Sequence, residues 1–538
     1  MTATRLLHED EEIHQRRWVV LGAMCLILVL VVMSVSGLNV ALPALQADLG
    51  ASQTALQWIV DSYALVFAGL LLTAGAIGDR FGRKLALLGG LALFAVGALI
   101  GGIATTSAQV IAGRVVMGVG AAFIMPATLS IITVVFPPQE RSRAIAIWAG
   151  FAGAGGAIGP IVSGALLEGF WWGSVLLVNL PVIAAVAVAV VVFAPRTRDD
   201  EARRLDPLGA VLSLVGISAL VFGIIEGPEQ GWADPVVVGA FVATAVLLGG
   251  FVSWERRHRH SMLPMSLFRD RRFSVGSGVI TVVFSVMFGF FFLVAQYLQF
   301  VRGYSALYAG LATLPMAAAM VIFAPRSAGL AERFGLRAVV ASGFGLIALG
   351  YGIFALTGSD TPYLQLAVAF FVVGAGIGCT TAPATGSIMS AVPLNRAGVG
   401  SAVNDTSREL GGALGIAVFG SLATSAYQAS LDAGRLPPEA AAAAEDSVGA
   451  ALGIAERIGG PQGAGFALEV GRSFTDAFTT AVGAAAVVAV LAAGVVLLVA
   501  PRRTPTRLPS PDAAGDAAPE GRTPAPVGRA EHAGVGGS

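Results

Sequence analysis

Long apolar runs and short polar connections alternate along this chain from Trp18 almost to Ala500. Most runs reach the roughly 20 residues that an α-helix needs to cross a bilayer core. Read with a window of that length, the pattern predicts fourteen spans. They fall at 18–43, 53–75, 85–105, 108–136, 143–167, 174–194, 207–226, 235–254, 273–301, 306–326, 337–357, 362–392, 397–427 and 474–500. A transmembrane barrel would show alternating segments of about 10 residues instead, and those are absent. The expected fold class is therefore all-α integral membrane protein.

The polar connections are ordered by charge. Those that follow even-numbered spans carry Arg80, Arg83 and Lys84; Arg141 and Arg143; Arg196, Arg198, Arg203 and Arg204; Arg256, Arg257, Arg259, Arg269, Arg271 and Arg272; Arg326, Arg333 and Arg337; and Arg396. The short connections that follow odd-numbered spans carry Arg302 alone. The positive-inside bias then puts both termini on the cytoplasmic side of a cell membrane. One span more or fewer would break the alternation, so the even count is supported too. The connection 428–473 falls on the outside; its Arg435, Arg457 and Arg472 are no objection, because long loops follow the bias poorly.

Composition narrows the class further. Of 538 residues 56% are apolar and 12% charged, and the mean hydropathy is +0.79. Soluble domains carry about 25% charged residues. The net charge of zero says little, because charge is segregated by topology. Cys25 and Cys379 both fall inside apolar runs and read as packing residues. The acidic, polar start (Met1 to Gln15) lacks signal-peptide order, so the first run is expected to be kept as span 1.

A weak internal repeat divides the chain. Ile77-Gly78-Asp79-Arg80-Phe81-Gly82 after span 2 recurs as Leu330-Ala331-Glu332-Arg333-Phe334-Gly335 after span 10. Six spans per half would put the copy after span 8, so two extra spans, 7 and 8, must lie between the halves. The expected organisation is a cytoplasmic segment 1–17, a six-helix half 18–194 and two extra helices with linkers at 195–272. A second six-helix half at 273–500 contains the long loop 428–473, and a Pro, Ala and Gly-rich tail at 501–538 is expected to be disordered.

Several polar strings sit where lipid makes them costly. Gly75, Asp79, Arg80, Gly82, Arg83 and Lys84 crowd the tight connection after span 2. Topology alone needs only the cations. Asp79 adds an anion that can pair with a basic group or a helix N-terminus in one conformation, as a gate requires. Asp61 lies eighteen residues earlier in span 2, about 27 Å away along a helix. An acid so deep in a span is a functional-site candidate by default, for proton coupling or cation binding, and stapling of helices is the plainer alternative. Gln57 and Tyr63 flank it. Arg114, about six residues into span 4, requires an anion or water; it serves either a structural ion pair or the tuning of a neighbouring carboxyl. In span 5, Gly155, Gly159, Pro160, Ser163 and Gly164 permit close helix packing and a bend. In span 13, Asp405 faces Arg408 at helical spacing and leaves Glu409 as the extra acid beside Asn404. Gln296 and Gln299, ending span 9, either line a cavity or anchor the interface.

The Gly75–Lys84 string resembles the cytoplasmic signature between helices two and three of the major facilitator superfamily. Arg114-Val-Val-Met117-Gly118 resembles its helix-4 motif, with Met117 for the usual Gln. Gly155-x-x-x-Gly159-Pro160-x-x-Ser163-Gly164 resembles the helix-5 motif of its antiporters, with Ser163 for a Gly. Together with Trp58-Ile-Val-Asp61-Ser-Tyr63, Trp172 to Pro181 and Asn404 to Gly412, these strings are similar to the fourteen-helix drug:proton antiporter branch, its QacA/SmvA-type members especially. The resemblance implies a two-half fold plus two central helices and monomeric, proton-driven export of lipophilic drugs, antibiotics or natural products by alternating access. It implies proton-coupling roles for Asp61, Arg114, Asp405 and Glu409, and gating roles for Gly75, Asp79, Arg80, Gly82, Arg83, Gly159 and Pro160. The substrate cavity would take Ser34, Asn39, Gln57, Tyr63, Gln296, Gln299 and Asn404.

Span 1 departs from that pattern. Asn39-Val40-Ala41-Leu42-Pro43 matches, but the branch's acid five positions before the Asn is Ser34 here. Either Asp61 couples alone or the substrate is less cationic than the branch's usual dyes, which fits the alternative of an exporter or facilitator of a neutral or anionic metabolite with altered or no proton coupling. An enzyme or ATP-driven pump is not expected. Lys84, the only lysine, is followed by Leu85, so no phosphate-binding Gly-x-x-x-x-Gly-Lys-Ser/Thr loop exists. The five histidines lie outside the spans without metal-ligand spacing. The only driving agent expected is the proton gradient, with no cofactor, no metal and no nucleic-acid partner.

Overall fold

The computed structural model describes residues 11–195, 206–257, 265–392, 397–434 and 436–500. The arginine-rich linker 196–205, Arg259, Arg396, Arg435 and the tail from 501 lie outside that description, as do the side chains of Asp79, Arg141, Arg143 and Glu332.

All fourteen expected spans are helices. They are Glu11–Leu49, Gln53–Phe81, Arg83–Gly102, Ser107–Val135 and Pro138–Leu167 for spans 1 to 5. Span 6 comprises Ser174–Leu177 and Asn179–Phe193; spans 7 and 8 are Pro207–Gln230 and Pro235–Arg257. Span 9 is Arg271–Gln296, continued by a π-turn at Tyr297–Val301, and span 10 is Ala306–Ala312 followed by Leu314–Phe334. Leu336–Ala355, Tyr363–Ala391, Ala397–Ser430 and Gly460–Val499 complete the set as spans 11 to 14. Among the described residues thirteen spans are apolar and long enough to cross a membrane. Span 5 is the other, with Ile158–Leu167 as its apolar stretch among the described residues. Its 30 residues still reach about 45 Å. The 428–473 connection is not bare loop: it holds helices Pro438–Asp446 and Val448–Ile458 and the first turns of span 14.

Local chemistry places the helix starts. Ser52, Thr106, Asp206, Asp270 and Ser305 precede spans 2, 4, 7, 9 and 10, and each accepts a hydrogen bond from a first-turn amide. Gly82 alone joins spans 2 and 3, and Gly335 alone joins spans 10 and 11. Their φ angles of 116° and 88° suit glycine and strain any other residue. The repeat is thus structural as well as textual: Arg80 stacks on Phe81 at 5.5 Å, and Arg333 on Phe334 at 5.3 Å.

Glycine seams hold the spans in two groups. In spans 1–6, Gly90 and Gly120 of spans 3 and 4 face one another so closely that either β-carbon would meet the other's carbonyl, and span 5 lies along span 1. In spans 9–14, Gly343 and Gly376 of spans 11 and 12 repeat the reciprocal arrangement, while Gly411 and Gly415 seat span 13 on Thr281 and Ser285 of span 9. In lipid, where tail and side chain are equally apolar, close packing of this kind drives helix association. Polar braces add to the first group at the end carrying the arginine-rich connections, the basic end. Arg17 pairs with Glu140 at 2.9 Å, and Lys84 donates to the carbonyls of Val191 and Ala194, both at 2.8 Å.

The closest approaches between the groups lie toward the opposite, far end. Gly164 packs on Leu307, Gly310 on Pro160 and Gly420 on the Gln57 side chain, and Gln299 donates to the Val40 carbonyl at 2.9 Å. Spans 7 and 8 pack as a pair, with span 7 lying against both span 2 and span 13.

Candidate functional site

Span 2 brings Gln57 and Asp61 to one face, four residues apart. Gln57 is 1% exposed and sits on Gly420 of span 13. Asp61, one turn deeper, is fully buried, and neither carboxyl oxygen has a hydrogen-bond partner. Such a group is costly to keep charged, because nothing replaces the water it has lost.

Arg114 of span 4 is also fully buried. Its Nε donates to the Ile59 carbonyl at 3.1 Å, and its guanidinium lies 4.3 Å from the centre of the Tyr63 ring. Both contacts hold it to span 2, while Nη1 and Nη2 have no hydrogen-bond partner. Glu409 of span 13 lies within Coulombic reach of both Arg114 and Tyr63. The carboxyl whose charge reaches Arg114 is therefore Glu409, from the other helix group and beyond ion-pair distance, and not Asp61 two residues beyond Ile59.

Toward the basic end, span 13 is wetter. Asp405 and Arg408 stand 3.9 Å apart with side chains 20% and 31% exposed, although both lie well inside the span. Arg408 also covers the Phe284 ring of span 9 at 4.8 Å. Asn404 accepts from Thr385 of span 12 at 2.9 Å and donates to Asp405 at 3.4 Å. Glu409 is partly exposed. Span 13 thus keeps partly exposed polar side chains toward the basic end, whereas Gln57 and Asp61 toward the far end are buried.

The remaining candidates take up defined places. Ser34 is 2% exposed with its hydroxyl unpartnered, and Asn39 donates weakly to Val35 while its Oδ1 has no partner. Gln296 bonds to its own helix at Phe292, whereas Gln299 in the π-turn reaches span 1. Gly75 packs on Pro126 of span 4. Arg80 is exposed, Gly82 turns the chain, and Arg83 opens span 3. The span-5 motif faces two ways: Gly155 and Gly159 seat on span 1, whereas Pro160 and Gly164 meet span 10 across the seam.

Sequence reasoning overlooked the partners on spans 7 and 13. Trp58 donates to Glu226 at 3.0 Å, and Ser421 donates to the Ile224 carbonyl at 2.8 Å. Pro228 was the available signal, since a proline leaves the carbonyl four residues earlier without its helical donor. Among the described residues no group of three or more His, Cys, Asp or Glu is placed to hold a metal ion.

Comparison with known proteins identifies the family. The Major Facilitator Superfamily profile matches residues 24–416. The multidrug efflux pump LfrA of Mycolicibacterium smegmatis is 34% identical over 91% of this chain and 97% of its own. The methyl viologen resistance protein SmvA of Salmonella typhimurium is 35% identical over 83% and 91% respectively. The tetracenomycin C resistance and export protein of Streptomyces glaucescens is 32% identical over 90% and 91%. Among solved structures, a bacterial homologue of the human lysosomal transporter Spinster, in an inward-facing and unoccupied conformation, superposes with a TM-score of 0.65. It covers 90% of this chain and 96% of its own at 19% identity, a likeness of fold. Fourteen spans in two glycine-seamed groups, a signature repeated at Gly82 and Gly335, and exporters as relatives make this chain a multi-pass membrane transporter that belongs to the Major Facilitator Superfamily.

Proposed function

We propose that the protein exports lipophilic compounds, drugs or antibiotics among them, in exchange for protons, as a single chain working by alternating access. The arginine-rich connections put the basic end in the cytoplasm. In the arrangement described, the basic end is then the side open to the cytoplasm, and a substrate enters there between the two helix groups, where span 13 presents Asp405, Arg408 and Glu409. Opening of the far end separates Gln57 from Gly420 and Pro160 from Gly310, and brings Ser34, Asn39, Gln57 and Asp61 to the outer water.

The observation that carries this reading is the contrast between two carboxyls: Asp61 is fully buried and unpartnered, and Glu409 is partly exposed. Sealing a bare carboxylate is unfavourable by several kcal/mol or more, so Asp61 closes up as the neutral acid; its proton is handed on to cytoplasmic water at the partly exposed Glu409 when substrate enters, and one proton moves inward per cycle. Arg114, fixed to span 2 through Ile59 and Tyr63, holds a positive charge opposite Glu409, so the charge state of Glu409 is linked to how the two groups sit. The test uses inside-out vesicles with an acidic lumen, where a lipophilic compound should trigger proton efflux. Asp61→Asn should abolish that efflux; efflux that persists would move the coupling to Asp405 or Glu409. Ser34 favours a second reading, export of a neutral or anionic compound, because span 1 supplies no acid for a cation at that place.

A further inference from the structure

Span 7 belongs to the inserted pair, outside the two six-span groups, yet its far end is bonded to both. Toward span 2, Glu226 accepts from the Trp58 indole through Oε1 at 3.0 Å and from Gln230 through Oε2 at 2.8 Å, so the carboxylate is fixed at both oxygens. Phe222 packs beside the same indole at 6.1 Å, and two turns or more toward the basic end Leu214 presses on Gly69, where no β-carbon would fit. Toward span 13, the Ser421 hydroxyl donates to the Ile224 carbonyl at 2.8 Å. That carbonyl is available because Pro228 has no N–H with which to take it in the helix. Trp58 and Ser421 are each one residue from Gln57 and Gly420, the pair that closes spans 2 and 13 on one another.

We infer that span 7 rides on span 2 and is latched to span 13 through the proline-freed Ile224 carbonyl. Glu226 and Ser421 are thus positioning residues for the transport step. The mechanical argument is short. Spans 2 and 13 belong to different groups and must part at the far end when it opens. Span 7 cannot follow both. It interlocks with span 2 at Gly69, Phe222 and Glu226, so the Ser421 bond to a lone carbonyl is the one that breaks. A latch of this kind stabilises the closed far end and sets how often it opens.

The inference rests on the export reading, and one reporter separates the two. Thr424, a turn beyond Gly420, is 5% exposed and bonds only to its own helix, so Thr424→Cys marks the closed seam with little disturbance. It is placed in a background with Cys25→Ala and Cys379→Ala. Intact cells are treated with a membrane-impermeant maleimide, and the labelling rate is read. Ser421→Ala should raise the rate about fivefold, the loss of one ordinary hydrogen bond. Ser421→Thr, which keeps the donor, should restore the slow rate. Pro228→Ala, which supplies a competing N–H, should raise it as well and stands in if Ser421→Ala fails to fold. Equal rates in Ser421→Ala, Pro228→Ala and the parent, with the parent labelled faster when a transported compound is added, would overturn the latch alone. A parent reporter that never reacts would overturn the export reading, and the latch with it.

Discussion

At the scale of single residues, charge placement in this protein is decided by contacts across helices. Ser34 is the residue whose chemistry is most exposed to test. It is buried with a free hydroxyl in the seam-facing first span, and an acid there would add a fixed anion to the cavity that Asp61 shares once the far end opens. Ser34→Asp should therefore widen export toward cations, read as several-fold higher resistance to quaternary ammonium compounds. Unchanged resistance in a well-expressed variant would count against any role of position 34 in charge selection. The sequence alone identified Asp61 and Arg114 as costly intramembrane charges, since burial in an apolar run needs no partner to be visible. It could not say that Glu409 is the carboxyl whose charge reaches Arg114, because spans 4 and 13 come within that range only in the folded bundle. The Asp405–Arg408 pair was readable for the opposite reason, being three residues apart on one helix.

At the scale of elements, the spans follow from hydrophobic length, and their ends follow from caps and glycines. Gly335 is the only residue between spans 10 and 11, at φ 88° and ψ 147°. Alanine there is strained by about 1–3 kcal/mol. Gly335→Ala should lower the detergent melting temperature by several degrees. Gly345→Ala, inside span 11 with open space where its β-carbon would go, should leave it unchanged or slightly higher. Size-exclusion profiles after stepwise heating distinguish the two. Features set by partners stayed hidden in the sequence. The π-turn at Tyr297–Val301 breaks no propensity rule, and the glycine seams look like scattered small residues until the facing helix is present. The run Pro438–Asp446 is the reverse case: its alanines and N-terminal proline favour helix, but its position inside a long polar connection masked that preference.

At the scale of the whole molecule, the two groups are built alike. The offset that maps Gly82 onto Gly335 also maps Gly90 onto Gly343 and Gly97 onto Gly350, and each of the last four meets the next helix in its own group through a close backbone approach. The repeat was legible in the signature strings alone; its extension along the helices required knowing which residues touch. What breaks the symmetry is the inserted pair, spans 7 and 8, and the helical segment before span 14. Motion between the groups then has few obstacles apart from the far-end contacts and the span-7 bond. The basic-end braces, Arg17 with Glu140 and Lys84 with two carbonyls, all lie within the first group and move with it.

Lys84 has a consequence for handling the protein that is separate from transport. It is the single lysine in 538 residues, so a protease specific for lysine has one cleavage site, between Lys84 and Leu85. That bond lies in the first turn of span 3, and the amine is tied to the end of span 6. The native protein should resist the cut, and loosening of this joint should release two fragments of very unequal size. A gel lane would then report the integrity of the first helix group directly, without any label or added cysteine.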